Sequence, residues 1–408
     1  MEKLKNIEIS AFDYDLPDDR IARYPLENRE DSKLLILNND EIVESKFKNI
    51  GNFIPKNALL VFNDTKVVRA RLLFRKPEGA LIELFTLEPF GKVTDMQLAF
   101  TSKPPVLWKC LVGNSKRWKT GHLEMKLVHD DAQFSLFAKR LIQEQDHSVI
   151  EFSWNKDHIS FAEILEMAGE MPLPPYLGRK AENADLERYQ TVFAKYEGSV
   201  AAPTAGLHLT DSLIKQLQSN GIEFERLTLH VGAGTFKPVS TQTIGDHTMH
   251  AERISFSKNT LLRLMVMNDK PIIPVGTTSL RALESLFWIA HLIRENIEIQ
   301  DITINQWLPY QDSQMEEMSF SEVLLLLIKY LDHHKLTHLQ ASTSIMIVPG
   351  YRFRIVSGLI TNFHQPKSTL LLLVSAMIGE RWHQVYQYAL DHNFRFLSYG
   401  DSCFFSLA

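Results

Sequence analysis

From about residue 200 onward, the sequence alternates between short apolar segments, polar loops and helical segments. PIIPVGTTS (271–279) leads into LRALESLFWIAHLI (280–293), and FRIVSGLITNFH (353–364) leads through QPKS into TLLLLVSAMIG (369–379). Alternating strands and helices favour an α/β domain, in which ligands bind at the carboxyl ends of the strands. We predict one discontinuous, barrel-like α/β main domain formed by residues 1–68 and 156–408.

Residues 69–155 have a different pattern. Short β-rich segments such as ALIELFTLEP (80–89) and SVIEFSW (148–154) are separated by Gly, Pro, Asn and Asp. Several such segments at close spacing are typical of a small antiparallel barrel or sandwich. We therefore expect an α/β fold with an inserted small antiparallel β-barrel domain.

Charge is distributed unevenly along the chain. The net charge is -5, which argues against a nucleic-acid binder, yet residues 66–119 hold 11 Lys and Arg against 4 Asp and Glu. KPPVLWKCLVGNSKRWK (103–119) carries five basic residues, no acidic residue and two tryptophans. Basic side chains beside aromatic rings suit phosphate contact and base stacking, whereas the alternative is a solvated β surface with ordinary core tryptophans.

Several protein classes are excluded or disfavoured. The two cysteines, Cys110 and Cys403, provide neither a disulfide framework nor a cysteine-based zinc site. The N-terminal residues lack the apolar core of a signal peptide, and the longest apolar run is about half of the roughly 20 residues that span a bilayer. We expect a cytoplasmic protein that does not associate with membranes.

HVGAGTF (230–236) places Gly232 and Gly234 after a predicted strand. A dinucleotide-binding loop would open a helix here, but Phe236 and a Lys-Pro pair follow instead, so we exclude a Rossmann cofactor loop. The two glycines still allow the backbone to approach a ligand closely.

GTTSLRALES (276–285) places Thr277, Ser279 and Arg281 where a strand turns into a helix. Free N–H groups and hydroxyls at such a turn form an anion or carboxylate site. The alternative is plain N-capping, which is the commoner use of Ser and Thr at helix starts.

Two further segments carry histidines. HTMHAE (247–252) contains His250 and Glu252, whose spacing matches no standard zinc signature, so polar loop residues or acid–base groups are favoured over a metal site. TNFHQPKST (361–369) places Asn362 and His364 at a strand end beside a proline turn, where a histidine is well placed for catalysis.

At these motifs the sequence resembles the S-adenosylmethionine:tRNA ribosyltransferase-isomerase family of queuosine biosynthesis. The matching stretches follow in order from end to end: FDYDLPDDRIARYP (12–25), LLVFNDTKVVRARL (59–72), MPLPPY (171–176), YQTVFA (189–194), GSVAAPTAGLH (198–208), LTLHVGAGTFKPV (227–239), HTMHAE, VGTTSLRALES (275–285), TNFHQPKSTLLLLVSA (361–376) and FRFLSYGDSCFF (394–405).

The resemblance implies a reaction. S-adenosylmethionine, as co-substrate, gives its ribosyl part to the aminomethyl group of a 7-deazaguanine at the tRNA wobble position, and adenine and methionine leave as an epoxycyclopentane forms. No metal, no membrane and no stable protein partner are implied. The sulfonium acidifies the adjacent C5′–H, so a positioned base can remove that proton.

The resemblance also implies roles for residues, each of which is a hypothesis. The acid–base candidates are His230, His250 and Glu252. Substrate binding is expected from Asn63, Thr204, His208, Gly232, Gly234, Thr277, Ser279, Arg281, Asn362 and His364. Contact with tRNA is expected from Arg71, Arg75, Lys109, Lys116, Arg117 and Lys119.

Two alternatives remain open at this point. One is a paralogous enzyme that uses S-adenosylmethionine on a substrate other than tRNA, and the other is a non-catalytic tRNA-binding protein.

The connection at about 294–342 is longer than ordinary loops and contains a capping box at Ser319 and Glu322, so we predict an added helix there. This helix is expected to pack on the α/β domain, or else to alter access to the cleft.

Overall fold

A computed structural model describes residues 2–38, 41–91, 96–145, 147–232, 239, 241–311 and 317–407, with the side chain of residue 97 left out. Its strands are β1 (Lys33–Asn38), β2 (Glu41–Lys46), β3 (Leu59–Asn63), β4 (Thr65–Val67), β5 (Arg71–Arg75), β6 (Leu81–Pro89), β7 (Val106–Gly113), β8 (His122–His129), β9 (Ala132–Gln143), β10 (Ser148–Trp154), β11 (Gly169–Glu170), β12 (Tyr196–Ser199), β13 (Glu223–His230), β14 (Glu252–Ser257), β15 (Ile272–Val275), β16 (Thr303–Ile304), β17 (His338–Thr343), β18 (Gly358–Asn362) and β19 (Ser402–Ser406).

The α-helices of the described residues are α1 (Glu2–Lys5), α2 (Met96–Thr101), α3 (Phe161–Ala168), α4 (Asp185–Arg188), α5 (Asp211–Ser219), α6 (Lys258–Val266), α7 (Thr277–Glu295), α8 (Phe320–His333), α9 (Thr369–Ile378) and α10 (Arg381–Asp391). None of these helices is long and apolar enough to cross a membrane.

The main sheet is mixed and has the order β16-β17-β14-β13-β3-β15-β18-β19-β1-β2. Its four central strands, β13, β3, β15 and β18, are parallel to one another. The apolar run at 59–63 forms β3, every residue of which is buried, as expected for a strand covered on both faces. Strands from both ends of the chain meet in this sheet, so the mixed α/β architecture is confirmed.

Residues 69–155 contribute six strands to a second, antiparallel sheet with the order β11-β5-β6-β7-β10-β9-β8. Its core contains Trp108 and Trp118, and also Phe161 from α3, which follows residue 155 in the chain. Among the described residues the edge strands β11 and β8 are not paired with each other. The antiparallel sheet is therefore present, while its closure into a barrel is not confirmed.

The long connection at 294–342 is built into the main domain. The capping box at Ser319 and Glu322 is present at the start of α8, and Val323, Leu324 and Leu327 of this helix lie in the main core. After α8 the chain adds β17 to the sheet beside β14, and β16 pairs with β17. This segment thus extends the sheet as well as packing a helix on it.

Gly169 lies between α3 and β11 and has no room for a side chain. A Cβ atom there would lie 1.9 Å from the Arg69 carbonyl oxygen. We expect Gly169→Ala to lower the thermal unfolding midpoint by at least about 2 °C, because the backbone must shift to relieve the clash. Gly232→Ala is the matched control, since no atom of the described residues lies within 4 Å of its added Cβ, and equal midpoints for both variants would contradict this prediction.

Candidate active site

A cleft lies at the carboxyl ends of the parallel strands β15 and β18. Its volume is about 820 Å³, including the open mouth. The lining residues come from six segments, and they are Tyr176, Ala201, Ala202, Pro203, Thr204, Ala205, Val231, Gly276, Thr277, Thr278, Thr361, Asn362, Phe363, His364, Gln365, Ser368, Thr369, Leu370, Leu397 and Ser398. The location agrees with the general rule for ligand sites in parallel sheets.

The start of α7 forms one wall of this cleft. Gly276 is the N-cap residue, with φ of 95°, and no side chain caps the helix. Thr277 and Thr278, which follow Gly276 in the sequence, line the cleft. The alternative of plain N-capping by Ser or Thr is therefore wrong here, because Gly276 is the N-cap and the hydroxyl of Ser279 donates to the Val275 carbonyl, 3.0 Å away. The uncapped N–H groups favour an anionic ligand.

Arg281 and Glu252 form a buried ion pair outside the cleft lining. Arg281 Nη1 lies 2.5 Å from a Glu252 carboxylate oxygen, and its Nε donates to the Ile345 carbonyl. Arg281 Nη2 is buried and has no hydrogen-bond partner among the described residues. The structure thus brings two predicted site residues together as partners of each other. Neither side chain lines the cleft.

Asn362, at the end of β18, is held by a hydrogen-bond relay. Its Oδ1 accepts from the Thr204 hydroxyl at 3.2 Å, and its Nδ2 donates to His208 Nε2 at 3.1 Å. Because Nε2 of His208 accepts, the proton of the neutral ring is on Nδ1, which donates to the Ser32 hydroxyl at 2.8 Å. His208 is therefore placed behind the cleft wall, where it orients Asn362.

Both histidines of this region are neutral at physiological pH. Burial lowers the pKa of His208 to about 4 and that of His364 to about 3, because the interior disfavours the charged imidazolium. His364 lines the cleft and its Nε2 lies 3.0 Å from the Thr361 hydroxyl. Its backbone is also fixed, since its N–H donates to the Tyr386 hydroxyl and its carbonyl accepts from Tyr14.

Tyr176 and Ser398 line the cleft and were not predicted as site residues. Their hydroxyl oxygens lie 2.6 Å apart, and burial raises the pKa of Tyr176 to about 12, so the phenol is neutral. The proline run before Tyr176 predicts an ordered loop, but it does not indicate where that loop packs.

Several predicted residues lie away from the lining. Asn63 clamps β3 to β13, because its Nδ2 donates to the Leu229 carbonyl and its Oδ1 accepts from the Leu229 N–H. His230 lies against Gly198, where an added Cβ would come within 2.5 Å of the ring Nδ1. His250 is exposed. Gly232 follows the cleft residue Val231, whereas Gly234 lies outside the described residues.

The basic segment has two kinds of side chain. Arg71 and Lys109 are paired with Glu83 and Glu88, at 2.7 and 2.8 Å, and Arg75 bonds a nearby carbonyl. The side chains of Lys116, Arg117 and Lys119 are exposed and form no ion pair with a described residue.

Both tryptophans of the basic segment are 1% exposed in the core of the second sheet. The interpretation that these rings stack on nucleic-acid bases is therefore wrong. The alternative, that they are ordinary core tryptophans, is confirmed.

Comparisons with known proteins identify the family of this chain. The family described as "Queuosine biosynthesis protein" matches residues 9–405. The chain belongs to this family. Relatives named S-adenosylmethionine:tRNA ribosyltransferase-isomerase include one from Halothermothrix orenii, 38% identical over 97% of this chain and 99% of its own length. Another, from Vesicomyosocius okutanii, is 35% identical over 98% of each chain.

A crystal structure of S-adenosylmethionine tRNA ribosyltransferase from Thermotoga maritima is also similar. It is 25% identical, with 97% of this chain and 100% of that chain covered, and the TM-score is 0.46. The family expected from the motifs is confirmed by the sequence matches alone. Of the residues predicted to bind substrate, Thr204, Thr277, Asn362 and His364 line the cleft.

The neutral state of His208 makes stability depend on pH. In the unfolded chain its pKa is near 6.5, so below that pH the unfolded state binds a proton that the folded state does not bind until about pH 4. Stability therefore falls as pH falls through this window. We expect His208→Gln to reduce the loss of unfolding free energy between pH 7 and pH 5 by about 2 kcal/mol, measured by urea denaturation. The exposed His383→Gln should keep the full wild-type loss, and an unchanged loss in His208→Gln would contradict the prediction.

Proposed function

We propose that this protein transfers and isomerises the ribosyl part of S-adenosylmethionine onto the aminomethyl group of 7-aminomethyl-7-deazaguanine at the wobble position of tRNA. The products are epoxyqueuosine-tRNA, adenine and methionine. The observation that carries this proposal is the placement of the family's motif residues in one cleft, beside an uncapped helix start. The two buried thiols, Cys110 and Cys403, fit a reducing cytoplasm.

In this proposal the start of α7 holds the anionic end of the co-substrate. The backbone N–H groups of the first turn of α7, after Gly276, and the hydroxyl of Thr277 would bind the methionyl carboxylate, because a helix start favours negative charge. Ser279 ties the first turn of α7 to β15, and it would act as a positioning residue.

Asn362, His364 and Thr204 would bind the ribose or the incoming deazaguanine. Thr204 and Asn362 present a matched donor and acceptor pair, and the neutral ring of His364 can both donate and accept a hydrogen bond. His208 and Ser32 hold the amide of Asn362 in one orientation, so we propose His208 as a positioning residue for the substrate.

The acid–base steps are proposed for His230 and His250. The base would remove the C5′ proton made acidic by the sulfonium, and an acid would protonate the departing adenine. Glu252 is ionically paired with Arg281. We propose that Glu252 keeps Arg281 in place, while the buried Nη2 of Arg281 has no hydrogen-bond partner among the described residues.

The surface around Lys116, Arg117 and Lys119 would contact the tRNA backbone, and Arg71, Arg75 and Lys109 would add to the positive potential of this domain. We propose that residues 69–155 form the tRNA-facing unit, closed as a β-barrel, and that 1–68 with 156–408 form the catalytic unit. No stable protein partner is required.

One assay separates this function from its alternatives. The protein is incubated with S-adenosylmethionine and tRNA that carries the aminomethyl-deazaguanine, and adenine release is measured. Release that requires the tRNA supports the proposal. Release without tRNA favours a paralogous enzyme with another substrate, and tight tRNA binding without release favours a non-catalytic binding protein.

Asn362 offers a direct test of the cleft. We expect Asn362→Ala to lower kcat for adenine release by about 100-fold, because the substrate loses an oriented polar partner and Thr204 loses its acceptor. The control is Asn49→Ala, since Asn49 is exposed and, within the described part of the chain, its side chain bonds only Ser45. Wild-type turnover by Asn362→Ala would exclude this residue from the site.

The exposed basic side chains predict a salt effect. Replacing Lys116, Arg117 and Lys119 with Gln should weaken tRNA binding and reduce the slope of log K against log salt by about 2, since each phosphate contact contributes about 0.7. Replacing Lys3, Lys215 and Lys329, which are also exposed, provides a charge-matched control. Equal slopes in the two triple variants would mean that the segment is only a solvated face.

A further inference from the structure

The segment at 294–342 brings together three metal-ligating side chains outside the cleft. Glu298 lies in the loop between α7 and β16, while His333 ends α8 and His334 is its C-cap. One ligand atom from each residue lies within 4.8 Å of the other two. Among the described residues this is the only such group, and it includes neither His250 nor Glu252.

The spacing of the ligand atoms suits a tetrahedral ion. His333 Nε2 and a Glu298 carboxylate oxygen are 2.9 Å apart, and the two imidazole rings are nearly perpendicular with centroids 4.8 Å apart. Two ligands of a tetrahedral zinc ion, each about 2.1 Å from the metal, lie about 3.3 Å from each other. A small separation of the existing His333–Glu298 pair would therefore admit the ion.

The ring of His334 is already oriented by its surroundings. Its Nε2 lies 2.8 Å from the Ile297 carbonyl, which can only accept, so in the neutral ring Nε2 carries the proton and Nδ1 carries the lone pair. Metal-binding histidines commonly donate their second N–H to a carbonyl in this way, which sets the tautomer and the ring orientation.

The loop that carries Glu298 is also held on the last turn of α8. The Tyr330 hydroxyl donates to the Ile299 carbonyl at 2.7 Å, and the Tyr330 ring packs on His334 with centroids 4.6 Å apart. The three donors therefore meet without a rearrangement of the backbone, which lowers the entropic cost of binding an ion.

We propose that Glu298, His333 and His334 bind a zinc ion, with water as the fourth ligand. Two imidazoles and one carboxylate form a ligand set of the kind that zinc takes, whereas calcium and magnesium require oxygen ligands. The ion would fasten the loop after α7 to the end of α8. None of the three residues lines the cleft, so this site is independent of the proposed reaction.

The test uses the full-length protein, freed of metal with a chelator that is then removed. Calorimetric titration with ZnCl₂ should show one site per chain, saturating zinc should raise the thermal midpoint, and MgCl₂ should do neither. Glu298→Gln, which keeps the side-chain shape, and His333→Ala should each weaken zinc binding at least tenfold.

His338→Ala is the matched control, because His338 is an exposed histidine of the same segment whose ring bonds Thr337. It should bind zinc as the wild type does. Absence of saturable zinc binding would overturn the proposal, and so would an equal loss of affinity in Glu298→Gln and His338→Ala. Adenine release is not a readout here, so failure of the zinc site and failure of the proposed function are distinguishable.

Discussion

Parallel pairing of β3 with β13 and β15 is the constraint on which the cleft depends. The paired registers place Asn63 and Val275 together at the carboxyl ends of their strands, with Leu227 of β13 beside Asn63. Asn362 lies at the same end of β18. Asn63 strengthens this arrangement because its amide bonds both backbone groups of Leu229. Parallel strands need long connections, so residues far apart in the chain are brought to one edge.

A buried carboxylate in α7 sets the path of the chain into β18. Glu284 is fully buried and its oxygens accept from the backbone N–H groups of Arg354, Ile355 and Val356 and from the Tyr351 hydroxyl. Burial raises the pKa of Glu284, while these hydrogen bonds oppose that shift. The helix whose start lines the cleft therefore also fixes the segment that leads into Asn362 and His364.

The local features were predictable because they depend on neighbours in the sequence. The capping box predicted at Ser319 and Glu322 is present at the start of α8. The role of Ser279 was not predictable in this way. A hydroxyl near a helix start is consistent with capping or with an anion site, but the Ser279 hydroxyl donates to the Val275 carbonyl of the preceding strand.

The mixed α/β class, the change to antiparallel strands after β3, the family and the concentration of basic residues at 66–119 all follow from the amino-acid sequence. Which polar residues meet depends on the tertiary structure. Thr204, Thr277 and Asn362 share a cleft, His208 lies behind it, and Glu252 with Arg281 forms a separate buried pair. Periodicity and capping act over a few residues, whereas the cleft depends on strand order and on side-chain packing between segments as far apart as Tyr176 and Ser398.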